Sequence, residues 1–138
     1  MRQIVVGFAD VETAHRVTAE AVALAGQLGA ALHVVTAIDE DARSVIEVGS
    51  DRWDISTVDA AEQAIREFMQ TLHERVDYTL AAIEGKPADV LIDEAKRLDA
   101  DLIVVGNVRM QGPGRLLGSV GSAVAHHAPC NVLIVKST

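Results

Sequence analysis

The stretch Val104–Val120, V-V-G-N-V-R-M-Q-G-P-G-R-L-L-G-S-V, decides the fold. It leaves the apolar run Asp101–Val105, passes glycines at Gly106, Gly112, Gly114 and Gly118, and enters a segment, Ser119–Ala128, that reads as a helix. A strand, a glycine-rich loop and a helix N-terminus in that order are the parts from which phosphate sites are built. Glycine lets the backbone approach an anion, and the unpaired amides of the first helical turn point at it. Arg109 adds a cation with fork-shaped donors inside the loop. A plain crossover turn has the same glycine content, so the loop by itself leaves both readings open.

Outward from this stretch, strand and helix patterns alternate. Upstream, Gly85-Lys86-Pro87-Ala88-Asp89 turns the chain into a helix predicted over Pro87–Leu98, with proline favoured at such a start. Tyr78–Ile83 reads as the strand before it. A helix from about Val58 to Arg75 carries Ala61, Ile65, Phe68, Met69 and Leu72 on one face. Further back, Ala31–Ile38 and Arg2–Phe8 are β-branched runs that read as buried strands. Between them a helix from Glu12 to Gln27 repeats Ala14, Val17, Ala21, Leu24 and Leu28 at helical spacing and stops at Gly29. Downstream, Asn131–Val135 after Pro129 is the last of five strands. Asp39–Ser56 is acidic and poorly patterned, and reads as a long loop of functional or mobile character holding the only tryptophan, Trp53. Trp53 is either a cover for a bound base or a local packing anchor.

Five strands alternating with helices imply an α/β fold: one doubly wound, Rossmann-like parallel sheet in the order 3-2-1-4-5, with helices on both faces. The first and fourth strands then lie side by side where the winding reverses, and their C-terminal ends form the crevice in which such sheets bind ligands. That brings the loop after the first strand, Ala9 and Asp10, to the glycine-rich loop.

Composition bounds the function. The 138 residues are the size of one domain, 49% hydrophobic and 23% charged, and aromatics at 3% leave an aliphatic core. A net charge of −8 opposes binding to nucleic acid or an anionic membrane, but not one phosphate ligand in a local pocket. The single cysteine, Cys130, excludes an internal disulfide and fits a reducing cytosol. No membrane span or signal peptide is expected, so the expected location is cytoplasmic.

Three stretches together resemble the universal stress protein family: E-G-K-P-A-D-V-L-I-D-E-A (Glu84–Ala95), D-A-D-L-I-V-V-G-N (Asp99–Asn107) and G-R-L-L-G-S-V (Gly114–Val120). The ending H-H-A-P-C-N-V-L-I-V-K (His126–Lys136) is similar to the family's last helix and strand. The resemblance spans nearly the whole chain, as a small single-domain member. Nucleotide-binding members carry G-x2-G-x9-G-[S/T]; here the loop is G-x2-R-x8-G-S, similar to an arginine-bearing variant in small bacterial members that also bind ATP. The resemblance implies a nucleotide site made by Ala9, Asp10, Ala37, Val105, Gly106, Arg109, Gly118, Ser119 and Val120. It implies ATP, with or without Mg2+, or AMP or ADP as ligand, and a homodimer through Val132–Val135. Gly112 and Gly114 would give the loop its flexibility.

The first loop departs from the family pattern. Ala9 stands where members usually place a nucleoside-contacting aspartate; Asp10, one residue on, is either its substitute or a helix N-cap.

Other chemistry is thin. His126-His127 are adjacent on a helix and so face about a hundred degrees apart, unsuited to sharing a metal. His15, His33 and His73 lack ligand spacing. Cys130 has no basic helper and reads as a packed thiol, and Asp39-Glu40-Asp41 reads as a solvated run rather than a magnesium site. No catalytic triad pattern or Walker spacing appears. Three functions remain: a nucleotide-binding regulatory module acting through partners, an interaction-only homodimer, and a slow ATPase or adenylating enzyme. The last lacks an evident general base.

Overall fold

The computed structural model describes residues 1–38, 44–48, 51–55, 57–107 and 118–137. Its elements are β1 (Gln3–Gly7), α1 (Glu12–Leu28), β2 (Ala31–Ile38), β3 (Ser44–Val48), β4 (Asp51–Ile55), α2 (Thr57–Gln70), β5 (Tyr78–Glu84), α3 (Pro87–Arg97), β6 (Leu102–Gly106), α4 (Ser119–His127) and β7 (Asn131–Val135). The main sheet has five strands in the order β5-β2-β1-β6-β7, and every pairing in it is parallel. With β3 and β4 set aside, this is the expected order 3-2-1-4-5.

Side-chain alternation along the strands divides the core in two. Ile4, Val6, Leu32, Val34, Leu102 and Val104 face one way, onto Val17, Ala21, Val22 and Ala25 of α1 and Ile65 and Met69 of α2. Val5, Val35, Ile103 and Val105 face the other way, onto Val90, Leu91, Ile92 and Ala95 of α3 and Val124 of α4. Strands covered on both faces must be apolar at consecutive positions, which is why I-V-V and L-I-V-V read as unbroken runs. The first strand is also pinned at its start: Asp101 Oδ2 accepts from the backbone N–H of Arg2 at 2.8 Å and of Gln3 at 3.0 Å. Those two donors hold the Asp101 carboxyl below the usual range.

Two expectations need correction. The segment 39–56 is not wholly irregular: β3 and β4 pair antiparallel, from Ser44↔Ile55 to Val48↔Asp51, as a separate two-stranded sheet. Helix α2 ends at Gln70 rather than Arg75. The Thr71 hydroxyl donates to the Phe68 carbonyl at 2.6 Å. The amides of Thr71 and Leu72 bond three residues back, to Phe68 and Met69. A threonine that competes for a helical carbonyl tightens and closes the last turn. Among the described residues no helix is long and apolar enough to cross a membrane.

Candidate functional site

Strands β1 and β6 are neighbours, with Ile4 opposite Leu102 and Val6 opposite Val104, yet the helices that follow them pack on opposite faces of the sheet. The divergence opens a crevice at their C-terminal ends. There lies a cavity of about 310 Å³, the lower end of the size range of small-molecule sites. Its floor is Gly7 at the end of β1 with Phe8 and Ala9 just after it, Val35, Thr36 and Ala37 from β2, and Val105 and Gly106 from β6. Val11, Thr13, Ala14 and Val17 form the α1 wall, and Pro87, Val90 and Leu91 the α3 wall. Val120 and Gly121 of α4 and Ser137 complete it.

Glycine at 106 has a steric reason. A Cβ there would stand 2.9 Å from Val17 Cγ2, closer than real Cβ contacts come. Past Gly106 the chain is tied to β7, for Asn107 N–H donates to the Val135 carbonyl at 3.1 Å. Helix α4 starts from Gly118, whose backbone is extended (φ −59, ψ 160) and which offers no side-chain cap. The amides of its first turn, at Ser119, Val120 and Gly121, therefore get no cap from Gly118, and the positive end of the helix dipole lies beside the cavity. No lining residue among those described is ionisable.

The loop between β1 and α1 settles the position of Asp10. The N-cap of α1 is Val11, with no side-chain cap bond, so Asp10 is not the cap. Its Oδ1 lies 2.8 Å from His15 Nε2 instead. The His15 ring stacks on both Phe8 and Phe68, with centroids at 5.6 and 4.4 Å, and those two rings also meet each other at 5.8 Å. The imidazole is thereby held in place, and it holds the exposed carboxylate of Asp10 beside α1. Asp10 does not line the cavity.

A family model described as the universal stress protein family matches residues 1–136. The chain belongs to the universal stress protein family. Universal stress protein Sll1388 of Synechocystis sp. is 40% identical over 77 residues, 51% of this chain and 50% of that protein. Universal stress protein Rv1636 of Mycobacterium tuberculosis is 42% identical over 81 residues, 58% of this chain and 51% of that protein. The match thus spans about half the length of these curated relatives. Among solved structures, a universal stress protein in complex with cAMP aligns with a TM-score of 0.77 at 28% identity, covering 99% of this chain and 98% of that one. UspA of Lactobacillus plantarum aligns at 0.74 and 26%, covering 98% and 97%.

In this universal stress protein, the cavity brings together Ala9, Ala37, Val105, Gly106 and Val120 of the residues singled out from sequence. Gly118 and Ser119 sit at the start of α4 and are not part of that lining. Arg109, Gly112 and Gly114 lie outside the described residues, as does the run Asp39-Glu40-Asp41, and nothing is described of the Trp53 side chain. Sequence reasoning missed Phe8, Thr13, Thr36, Pro87, Leu91 and Ser137. Two of these had a signal: Pro87 opens a helix inside the most telling family stretch, and Phe8 directly follows the first strand.

The remaining candidates are structural. His33 is buried on β2, its Nδ1 2.6 Å from Thr79 Oγ1 and its Nε2 2.7 Å from Glu94 Oε2. Glu94 in turn accepts two bonds from Arg97, at 2.9 and 2.8 Å. The Arg97 hydrogen bond leads in holding the Glu94 carboxyl below its usual range, against the opposing effect of burial. Burial and the Asp101 charge push the Cys130 thiol up, which suits a packed thiol rather than a nucleophile. Among the described residues no cluster of His, Cys, Asp and Glu is placed to hold a metal.

Proposed function

We propose that the cavity binds an adenine nucleotide, ATP or a close relative such as AMP or ADP, and that the protein acts as a cytoplasmic regulatory module through partner proteins. The observation that carries this reading is the neutral, mostly apolar cavity at the winding reversal, beside the N-terminus of α4. The aliphatic walls around Ala37, Val90 and Leu91 suit a base. The loop from Gly106 to Ser119, with Arg109, would take the phosphates, magnesium accompanying ATP. A relative of the same fold at 28% identity is known in complex with cAMP, which supports the adenine class. Binding is favoured over hydrolysis because no carboxylate or imidazole lines the cavity among the described residues.

The test is nucleotide-free protein melted with each ligand, alongside mass spectrometry of the native protein as purified. Ligand at about one hundred times its dissociation constant should stabilise the fold by roughly 2.7 kcal/mol. At about 3 °C per kcal/mol for a chain of this size, the melting point should rise by roughly 8 °C. Melting curves unmoved by ATP, ADP, AMP and cyclic nucleotides, with and without magnesium, would end the nucleotide reading. The interaction-only homodimer would then stand, a reading that Ala9 at the usual aspartate position already favours.

Assembly is part of the proposal. Strand β7 is at one end of the sheet order, with Leu133 40% and Ile134 39% exposed. A short apolar edge of this kind invites pairing, and a two-fold axis makes the pair of Val132–Val135 strands antiparallel. Leu133→Lys should convert dimers to monomers in sedimentation experiments. A wild-type protein that sediments as a monomer refutes the dimer.

A further inference from the structure

We infer that Ser137 is a ligand-contacting residue of the cavity, its hydroxyl presented beside Gly106 by a clasp of Asn107 and Arg16. The inference rests on the nucleotide reading above and deepens it by naming which part of the ligand this wall recognises. After β7 the chain turns inward: Ser137 is only 2% exposed, and it forms part of the cavity lining. Its backbone is held at both ends. The amide donates to Asn107 Oδ1 at 3.0 Å, and the carbonyl accepts from Arg16 Nη1 at 3.3 Å. Asn107 is itself anchored to the end of β7 through the Val135 carbonyl. Three segments of the chain, the exits of β6 and β7 and the first half of α1, therefore fix this one serine.

The backbone is committed, but the hydroxyl is not. Its Oγ lies 3.4 Å from Asn107 Oδ1, beyond the usual O–H···O range of about 2.5–3.0 Å. That acceptor is already served by the Ser137 amide. The proton is thus weakly held and both lone pairs remain, so the group can turn to a ligand at little cost. Oγ also lies 3.7 Å from where a Cβ on Gly106 would stand, on the β6 side of the cavity rather than against Pro87 and Val90. A ligand placed with its base between the aliphatic walls brings its ribose–phosphate part over Gly106. Ser137 then donates to an oxygen of that part.

Titration calorimetry of wild type and Ser137→Ala with AMP, ATP and adenosine tests this. The loss of one neutral hydrogen bond should weaken AMP and ATP about five- to tenfold, while the ligand-free melting point stays within about 2 °C. Adenosine weakened equally places the bond on ribose, and adenosine unaffected places it on phosphate. A purely structural Ser137 would lower the melting point and leave affinity alone. Affinities within twofold of wild type for every ligand overturn the contact while leaving the nucleotide reading intact. Wild-type protein that binds none of the three overturns both.

Discussion

Glu94→Ala should be the most damaging substitution outside the apolar core, lowering stability by about 3 kcal/mol and the melting point by about 9 °C. Glu94 is the hub of a network that crosses layers, from Thr79 on β5 through His33 on β2 to Arg97 on α3. Its removal leaves the His33 Nε2 group without its partner between the sheet and α3, where His33 is 3% exposed. The cost falls at the low end for a buried pair because the Arg97 side chain, 59% exposed, can turn to water. Arg97→Ala should accordingly cost much less, because the exposed guanidinium gains little from the pair. The sign of the pH effect follows from the direction of the Glu94 shift. A carboxyl held below its ordinary value contributes stability that is present above the unfolded value, about 4.3 for Glu, and is lost as pH falls through the lower folded value. Glu94→Ala should therefore flatten the decline in stability as pH falls below about 4.3, the unfolded value. Asp101, lowered in the same direction by its backbone donors, should leave part of the slope in place. A variant that melts within about 2 °C of wild type, with an unchanged acid profile, would show the network to be energetically idle.

The legible parts of this protein were those encoded at short range. Apolar periods of two and three to four marked the main strands and the helices, Gly29 the end of α1 and Pro87 the start of α3, whereas the end of α2 was not legible. Strand order followed because alternating parallel units have few right-handed solutions. The cavity's place was legible for the same reason, since a winding reversal is a property of topology. What was not legible depends on contacts between distant residues. His33 meets Glu94 across 61 positions and Ser137 meets Asn107 across 30, spacings that no local rule selects. Asp10 and His15 are five apart, which is not a helical contact distance; they meet because residues 9–11 are bent before the helix begins, with Val11 N–H donating to the Ala9 carbonyl. The stack of Phe8, His15 and Phe68 joins the end of β1, α1 and α2, so its members are scattered in sequence. The β3–β4 pair was missed because Asp, Glu, Arg and Ser interrupt its apolar residues, and a two-stranded sheet apart from the main one leaves only a weak pattern.

Gly106→Ala should cost about 2 kcal/mol, or roughly 6 °C in melting point, although alanine adds only one methyl group. The new Cβ would stand 2.9 Å from Val17 Cγ2. Val17 is 4% exposed and packs against the sheet, so neither partner can withdraw without moving α1 or β6. Gly7→Ala provides the contrast. There the nearest atom is Leu91 Cδ1 at 3.3 Å, the far end of a flexible side chain, and the cost should stay below about 1 kcal/mol. Val17→Ala offers the decisive comparison, since it removes the clashing methyl groups at the usual cost of a small cavity. In that background Gly106→Ala should be nearly free, giving a coupling energy of about 1.5 kcal/mol in the double-mutant cycle. An equal cost in both backgrounds would mean that glycine is required at 106 for some reason other than the approach of α1. The same methyl group intrudes on the cavity between Val17 and Ser137. A nucleotide seated there should lose affinity in Gly106→Ala and regain part of it in the double variant. Affinity and stability would then move together because one close approach, that of β6 to α1, both packs the sheet and shapes the cavity floor.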